Sequence, residues 1–277
     1  MGARLLQPAT LADADAAVCA GRATYLAGGT ALQLSWPVPG TPTQPTPDID
    51  LIDVRAWSST HAVEDSAGSL VIGALTTLEA LRTDVRVRAR ASLLCDACST
   101  LGSLAVRHLG TLGGNVGWRS GDTVASLLAL DARLEYAHGA SEALADGLAR
   151  TALPLIRALH VPVEAATFQF YEKVGHRAAF SPSRLALAGR FTFDADKRIA
   201  RARIGASGAA LPGRRLLCTE AWLAGGPAAT LAPDDPGLRR ALAEDLPGEP
   251  ARVRLAARLL SGHLRSASQN HPAGDPA

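Results

Sequence analysis

The sequence predicts an α+β protein: a two-part α/β region runs to Pro162, and a smaller unit of antiparallel sheet plus helices follows. Three observations predict it. Up to Pro162, short apolar strand-like runs are interleaved with helical patterns. Beyond Val163 the pattern changes to long alternating runs, ATFQFYEKV and RLALAGRFTFDADKRIARARIGASGAA. With 277 residues and 47% hydrophobic content, the chain can bury more than one core. The expected divisions are 1–57 and 58–162 as the two parts of the first region, 163–265 as the second, and 266–277 as a disordered tail.

The elements follow in order. Thr10 starts a helix over 10–21 with Leu11, Ala14, Ala17 and Val18 on one face and Gly21 as its stop. ATYLAGGTALQLSW reads as strand, tight glycine turn and helix; WPVPGTPTQPTP is a proline-rich loop; DIDLIDV is a strand. SLVIGALTTLEAL is a strand running into a helix, with Thr76 and Glu79 spaced as a capping box. VRVRARASLLCDACSTLGSLAV reads as one helix. The loop RHLGTLGGNVGWRSGD comes next, then a helix over 122–130 and the strands RLEYA and IRALHVP. In the second region, two strands flank an Asp-Ala-Asp-Lys turn, RRLLCTEAWLAG is a helix, and PARVRLAARLLSGHL is a helix with Val253, Ala256, Ala257 and Leu260 on one face.

Composition narrows the function. A net charge of +2 gives no support to nucleic-acid binding. No apolar run approaches the roughly 20 residues of a membrane span. The N-terminal stretch does not read as a secretion signal, so a cytoplasmic location is expected. Of Cys19, Cys95, Cys98 and Cys218, only Cys95 and Cys98 form a CxxC, on a helix, where buried thiols are the leading reading and a metal or redox role the lesser one. No HxxxH or HxH pair occurs, so no metal site is expected. Of 28 basic residues only Lys173 and Lys197 are lysines, which singles those two out.

The loop at 107–122 holds five glycines beside Thr111, Asn115 and Asp122. Glycine is costly to order and is used where φ is positive or a backbone must come close. YLAGGTALQL has the same form, an apolar segment and then a Gly-Gly with a polar neighbour. Backbone N–H groups in such turns converge on anions. Neither loop is GxGxxG after a strand or ends in GK[ST], which disfavours a dinucleotide Rossmann site and a P-loop. Together they favour one extended phosphate ligand gripped from two sides.

In the order YLAGGTAL, LIDVRAW, VIGALTTLEAL, RHLGTLGGN and D-x-x-x-x-LLALDA, the sequence resembles the FAD-binding subunit of the molybdenum hydroxylases, the xanthine dehydrogenase and carbon monoxide dehydrogenase family. FQFYEKVGHRAAFSPSRLALAG and TEAWLAG resemble that family's later segments. The resemblance implies a PCMH-like FAD domain and FAD as cofactor. It places backbone contacts to the pyrophosphate and ribityl chain at Tyr25, Leu26, Ala27, Gly28, Gly29, Thr30, Ala31 and Leu32, and at Thr111, Leu112, Gly113, Gly114 and Asn115. It makes Asp122 a partner of nucleotide hydroxyls, Ile156 an apolar flavin contact, and Lys173 a cation near the isoalloxazine. Read on its own, Asp122 is equally a helix N-cap, and Lys173 equally a surface lysine. Arg177 is read as structural or as a subunit contact. The implied partners are a molybdopterin-binding large subunit and a two-iron two-sulfur small subunit, with NAD as a possible acceptor. This chain departs from the pattern in the gap between Asn115 and Asp122. It has six residues there and no Pro, with Trp118 positioned either to stack on a ring or to plug the space. The shortening motivates an alternative role as a non-catalytic assembly subunit with a lost flavin site.

Overall fold

The computed structural model describes residues 4–35, 49–55, 62–175 and 182–270. The proline-rich loop beginning at residue 36, residues 56–61, Arg177 and the last seven residues lie outside them.

The chain builds three sheets. The first holds β1 (Leu5–Leu6), β2 (Ala23–Leu26) and β3 (Asp50–Asp53), all parallel, with β3 in the middle. Helix α1 (Leu11–Cys19) starts as expected, Thr10 accepting from the Asp13 amide, and the chain leaves it through Gly21 at φ +68°. The expected helix after the first glycine turn is a single 3-10 turn at Leu32–Ser35.

The second sheet is antiparallel, in the order β4 (Val63–Ser66), β5 (Ser69–Gly73), β8 (Ile156–Pro162), β6 (Arg133–Tyr136), β7 (Ser141–Ala143). Between β5 and β6 runs a chain of short helices: α2 (Leu78–Thr83), α3 (Val85–Arg90), α4 (Ser92–Thr100), α5 (Leu104–Leu109), α6 (Leu112–Gly117) and α7 (Asp122–Ala129). Helix α8 (Leu144–Ala149) follows β7. The single helix expected over 85–106 is thus three. The break at Gly102 and Ser103 has a local cause, since Gly102 sits at φ +53° and the Ser103 hydroxyl caps α5. The expected capping box is displaced by one residue: Thr77, held extended by a bridge to Thr111, accepts from the Ala80 amide.

Glu79 instead bonds Arg82 and Arg107, the latter at 2.6 Å, which ties α2 to α5. The two guanidiniums, Arg82 first, hold the Glu79 carboxyl at about 2. A carboxyl held below its unfolded value of about 4.3 stabilises the fold above that value. This contribution is lost as pH falls from there through about 2. The expected result is an acid melting limb across that window that is shallower in Glu79→Gln, measured by circular dichroism against pH.

The third sheet is antiparallel, β12 (Leu211–Arg215), β11 (Ile199–Gly208), β10 (Ser183–Phe193), β9 (Phe168–Gly175). The Asp194–Lys197 turn is as expected, the Asp194 carboxylate accepting from the Asp196 and Arg198 amides. Helices α9 (Leu217–Leu223), α10 (Pro236–Asp245) and α11 (Pro250–Asn270) complete the chain. Helix α11 carries residues 266–270 of the expected tail.

Alternate residues of a strand face opposite sides, and this sheet uses both. Leu185, Leu187 and Phe191 pack with Ala256, Leu260 and Leu264 of α11, whereas Ala186 and Ala188 join the core of the preceding region. Every residue of α7 is buried. Gly205 admits it, since a Cβ there would lie 2.8 Å from the Leu128 Cβ. Burying Val124, Leu127 and Leu128 contributes about 1.5–3 kcal/mol each. The central helix of the first region is therefore seated on the sheet of the second.

Candidate cofactor site

The first glycine loop leaves β2 beside β3, where the Val54 amide bonds the Leu26 carbonyl. Gly29, at φ +69°, makes the turn. Gly28 serves close approach: a Cβ there would fall 2.5 Å from the Leu109 carbonyl carbon and closer still to its oxygen. The amides of Gly28, Gly29, Thr30 and Ala31 bond no acceptor among the described residues. Four successive donors are thus turned loose at one bend, an anion cradle in its chemistry. Tyr25 is fixed below it. Its hydroxyl bonds the Asp15 carboxylate, which also accepts from the Leu155 amide at 2.6 Å. Burial first, and then Asp15, push the phenol above its ordinary range.

The second glycine stretch differs from expectation. It is the start of α6, with Thr111 as N-cap accepting from the Gly114 amide. The amides of Leu112, Gly113 and Asn115 bond the carbonyls of Thr76, Ala74 and Thr111. Helix closure and the neighbouring strand end consume the donors expected to face a ligand. None of the five glycines has positive φ. Two of them plainly serve clearance: a Cβ on Gly113 would meet Ala74 at 2.7 Å, and one on Gly121 would meet the Asn115 carboxamide carbon at 2.5 Å, whereas one on Gly117 would meet nothing.

Asn115 holds the next helix. Its Oδ1 accepts from the Thr123 amide at 3.1 Å and the Thr123 hydroxyl at 2.6 Å. The N-cap position of α7 is Gly121, which has no side chain, so Asn115 caps the helix from outside. Asn115→Ala is expected to lower stability by about 1–2 kcal/mol, read as a thermal or urea midpoint, because a capping bond and a buried hydroxyl's acceptor are lost together.

Asp122 is therefore not the N-cap. It is the first residue of α7, buried, and its carboxylate bonds Lys173 Nζ at 2.7 Å and the Ser183 hydroxyl at 2.7 Å. Lys173 also donates to the Thr100 carbonyl at 3.3 Å. The Tyr171 hydroxyl donates to the Asp122 carbonyl and Ser207 to the Gly121 carbonyl. Burial, and then the Asp122 charge, raise the Tyr171 phenol well above its ordinary range. Lys173, expected as a cation near the isoalloxazine or as a surface lysine, is half of a largely buried ion pair with Asp122, pinned by β9 and β10 to the start of α7.

These groups surround one cavity of about 690 Å³, lined largely by apolar atoms. Both glycine stretches face it, as do Ile156, Asp122 and Lys173. Leu26 and Leu112 do not line it, and Leu112 is in the core. Sequence reasoning missed several walls: Leu78, Leu101 and Val106 from the helical chain, and Leu153, Pro154 and Leu155 ahead of β8. Trp118 lines the cavity at 36% exposure. Arg119 and Lys173 are the cations in the wall, and both are engaged; Arg119 donates to the carbonyls of Leu148, Arg150 and Thr151. A diphosphate here would be met by the free amides of the first loop. That donor set, the missing Cβ at Gly28 and the large apolar lining fit FAD. Among the described residues no helix is long and apolar enough to cross a membrane, and no group of three metal-ligating side chains occurs.

Residues 1–146 match the family model described as the FAD binding domain in molybdopterin dehydrogenase. The chain is 33% identical over 88 residues to the nicotinate dehydrogenase FAD-subunit of Eubacterium barkeri. That match spans 31% of this chain and 29% of that protein's length. Carbon monoxide dehydrogenase from Hydrogenophaga pseudoflava contains a chain of the same fold, with TM-score 0.74, 23% identity, and coverage of 97% of this chain and 98% of that one. Carbon monoxide dehydrogenase from Oligotropha carboxidovorans contains another, with TM-score 0.72, 25% identity and 97% of both chains covered.

Proposed function

The chain belongs to the family of FAD-binding domains of molybdopterin dehydrogenases, and from that premise we propose that it is the electron-transferring FAD subunit of a molybdenum hydroxylase complex. In this reading a two-iron two-sulfur subunit delivers electrons taken from a substrate at a molybdopterin-binding subunit. They leave through this chain to NAD or another acceptor, in the cytoplasm. The observation that carries the reading is one cavity lined by both glycine stretches, with four amides that bond no acceptor among the described residues and the Asp122–Lys173 pair in its wall.

FAD supplies the redox chemistry when bound. The protein's part is to place and enclose it. The Gly28–Ala31 amides would hold the diphosphate, and their fixed dipoles need no reorganisation. Gly113 and Gly114 of α6 would form a facing wall for the nucleotide. Ile156 and the apolar walls exclude water and strengthen every polar contact inside. Lys173 is held at the cavity wall by the Asp122 carboxylate and the Thr100 carbonyl, so its position is set before the cofactor arrives. The chain brings no iron–sulfur ligand set among its described residues; burial raises the Cys95 and Cys98 thiols above their ordinary range, as fits core side chains. In this reading the electrons come from a partner.

The test is a visible absorption spectrum of the purified protein, before and after incubation with FAD, and of the complex with its partners. Flavin bands with about one FAD per chain support the reading. A folded chain that joins its partners yet stays colourless after FAD addition overturns it in favour of the assembly role.

A further inference from the structure

A second hollow, of about 240 Å³, lies on the opposite face of the β9–β10 pair from the cofactor cavity. Lys173 lines the cofactor cavity, whereas its neighbour Val174, and Arg184 next to Ser183, line this one; the two share no residue. Its charged lining is Arg184, Arg252, Arg254, Arg258 and Glu249, four guanidiniums against one carboxylate. Glu249 is already divided between Arg184 at 3.3 Å and Arg252 at 2.8 Å.

The chain's arginine bias accounts for exposed guanidiniums taken singly. It does not account for Arg252, which is only 9% exposed. Its Nη2 reaches Glu249 and the Ala209 carbonyl, but its Nε meets no acceptor among the described residues. A buried charged donor left unsatisfied costs more than one left in water. Arg254 and Arg258 stand one turn apart on α11, where like charges repel, and neither has an ion pair among the described residues. The hollow adjoins the N-terminus of this 21-residue helix, whose dipole adds positive potential. Its volume lies below the range of pockets that take drug-sized ligands.

We propose that this hollow is a binding site for a small, multiply charged oxyanion of the phosphate or diphosphate class. Guanidinium forks match such oxygens two at a time. The anion neutralises the excess charge, and Arg252 forms the built-in wall of the site while Arg254 and Arg258 close over it from the exposed side.

The test uses the full chain loaded with FAD, so that the Gly28–Ala31 amides are filled, and titrates it with sodium diphosphate by calorimetry and thermal melting. Sodium chloride at matched ionic strength is the control. One saturable site and a rise in melting temperature that chloride does not reproduce are expected. Arg254→Gln/Arg258→Gln, which changes only exposed side chains, is expected to weaken binding about tenfold or more with unchanged FAD content and, in the absence of diphosphate, melting no lower than wild type. Arg252→Gln tests the wall, and the double variant serves if Arg252→Gln does not fold. Melting that follows ionic strength alone, or diphosphate binding untouched by the double variant, overturns the proposal. If the protein retains no flavin, the double variant still separates this hollow from the first glycine loop.

Discussion

Replacing Gly28 with Ala is expected to strip FAD from the protein. The new Cβ falls 2.5 Å from the Leu109 carbonyl carbon and 3.0 Å from the Gly110 Cα, so the obstacle is backbone on the far wall, not a side chain that can turn aside. The loop must retreat, and the four free amides retreat with it. Overpacking of this kind costs about 1–3 kcal/mol in stability, and the loss in FAD affinity is expected to exceed about a hundredfold. Gly114→Ala is the internal contrast. Its nearest obstacle is the Thr111 hydroxyl at 3.0 Å, with the Ala27 Cβ next at 3.8 Å, so it is expected to retain most of its flavin. Flavin content and reconstitution affinity of both variants decide the matter. A Gly28→Ala protein with wild-type flavin content, or a loss no greater than that of Gly114→Ala, would show that close approach at Gly28 does not build the site.

That contrast bears on what was legible in the sequence. Two glycine pairs with polar neighbours pointed to two stretches of close backbone approach, and they do face one cavity. Their different uses were not legible. Whether an amide is free depends on what lies across from it, and Ala74 and Thr76, whose carbonyls consume the α6 donors, arrive from a separate strand end. Asn115 illustrates the same limit, because a helix capped from outside leaves no cap at the N-cap position for a local pattern to find.

Elements with self-contained signals were readable. The Asp194 turn and the Thr10 cap depend on residues within four positions of one another. The Gly102-Ser103 break carried its own signal inside a run that otherwise looked helical, whereas Ala91, where α3 meets α4, has no Gly or Pro to mark it. The displaced capping box shows long-range pairing overriding a local motif: the bridge to Thr111 selects Thr77 over Thr76. Helix α10 carries Asp235 and Pro236 as a start signal, but its mean hydropathy is low, and Leu238 and Leu242 find their core only against neighbouring helices.

Asp122→Asn and Lys173→Met are expected to move the flavin reduction potential in opposite directions. Asp122 and Lys173 form a buried pair at 2.7 Å, with the lysine side chain 13% exposed and the aspartate 9%. Removing one partner of such a pair leaves an uncompensated charge in low dielectric and costs about 3–5 kcal/mol. That charge also stands in the wall of the cavity that holds the cofactor. Asp122→Asn leaves a bare ammonium, which favours the more negative, reduced form, so the potential rises. Lys173→Met keeps the aliphatic stem and leaves a bare carboxylate, so the potential falls. The double variant is neutral, as the native pair is. It should lie near wild type in potential and lose less stability than the two single losses summed, because the pair is one unit. The measurements are spectroelectrochemical titration and urea unfolding of the four proteins. Single variants that shift the potential the same way, or not at all while losing stability, would mean that the pair only braces α7 against the third sheet and does not act on the flavin.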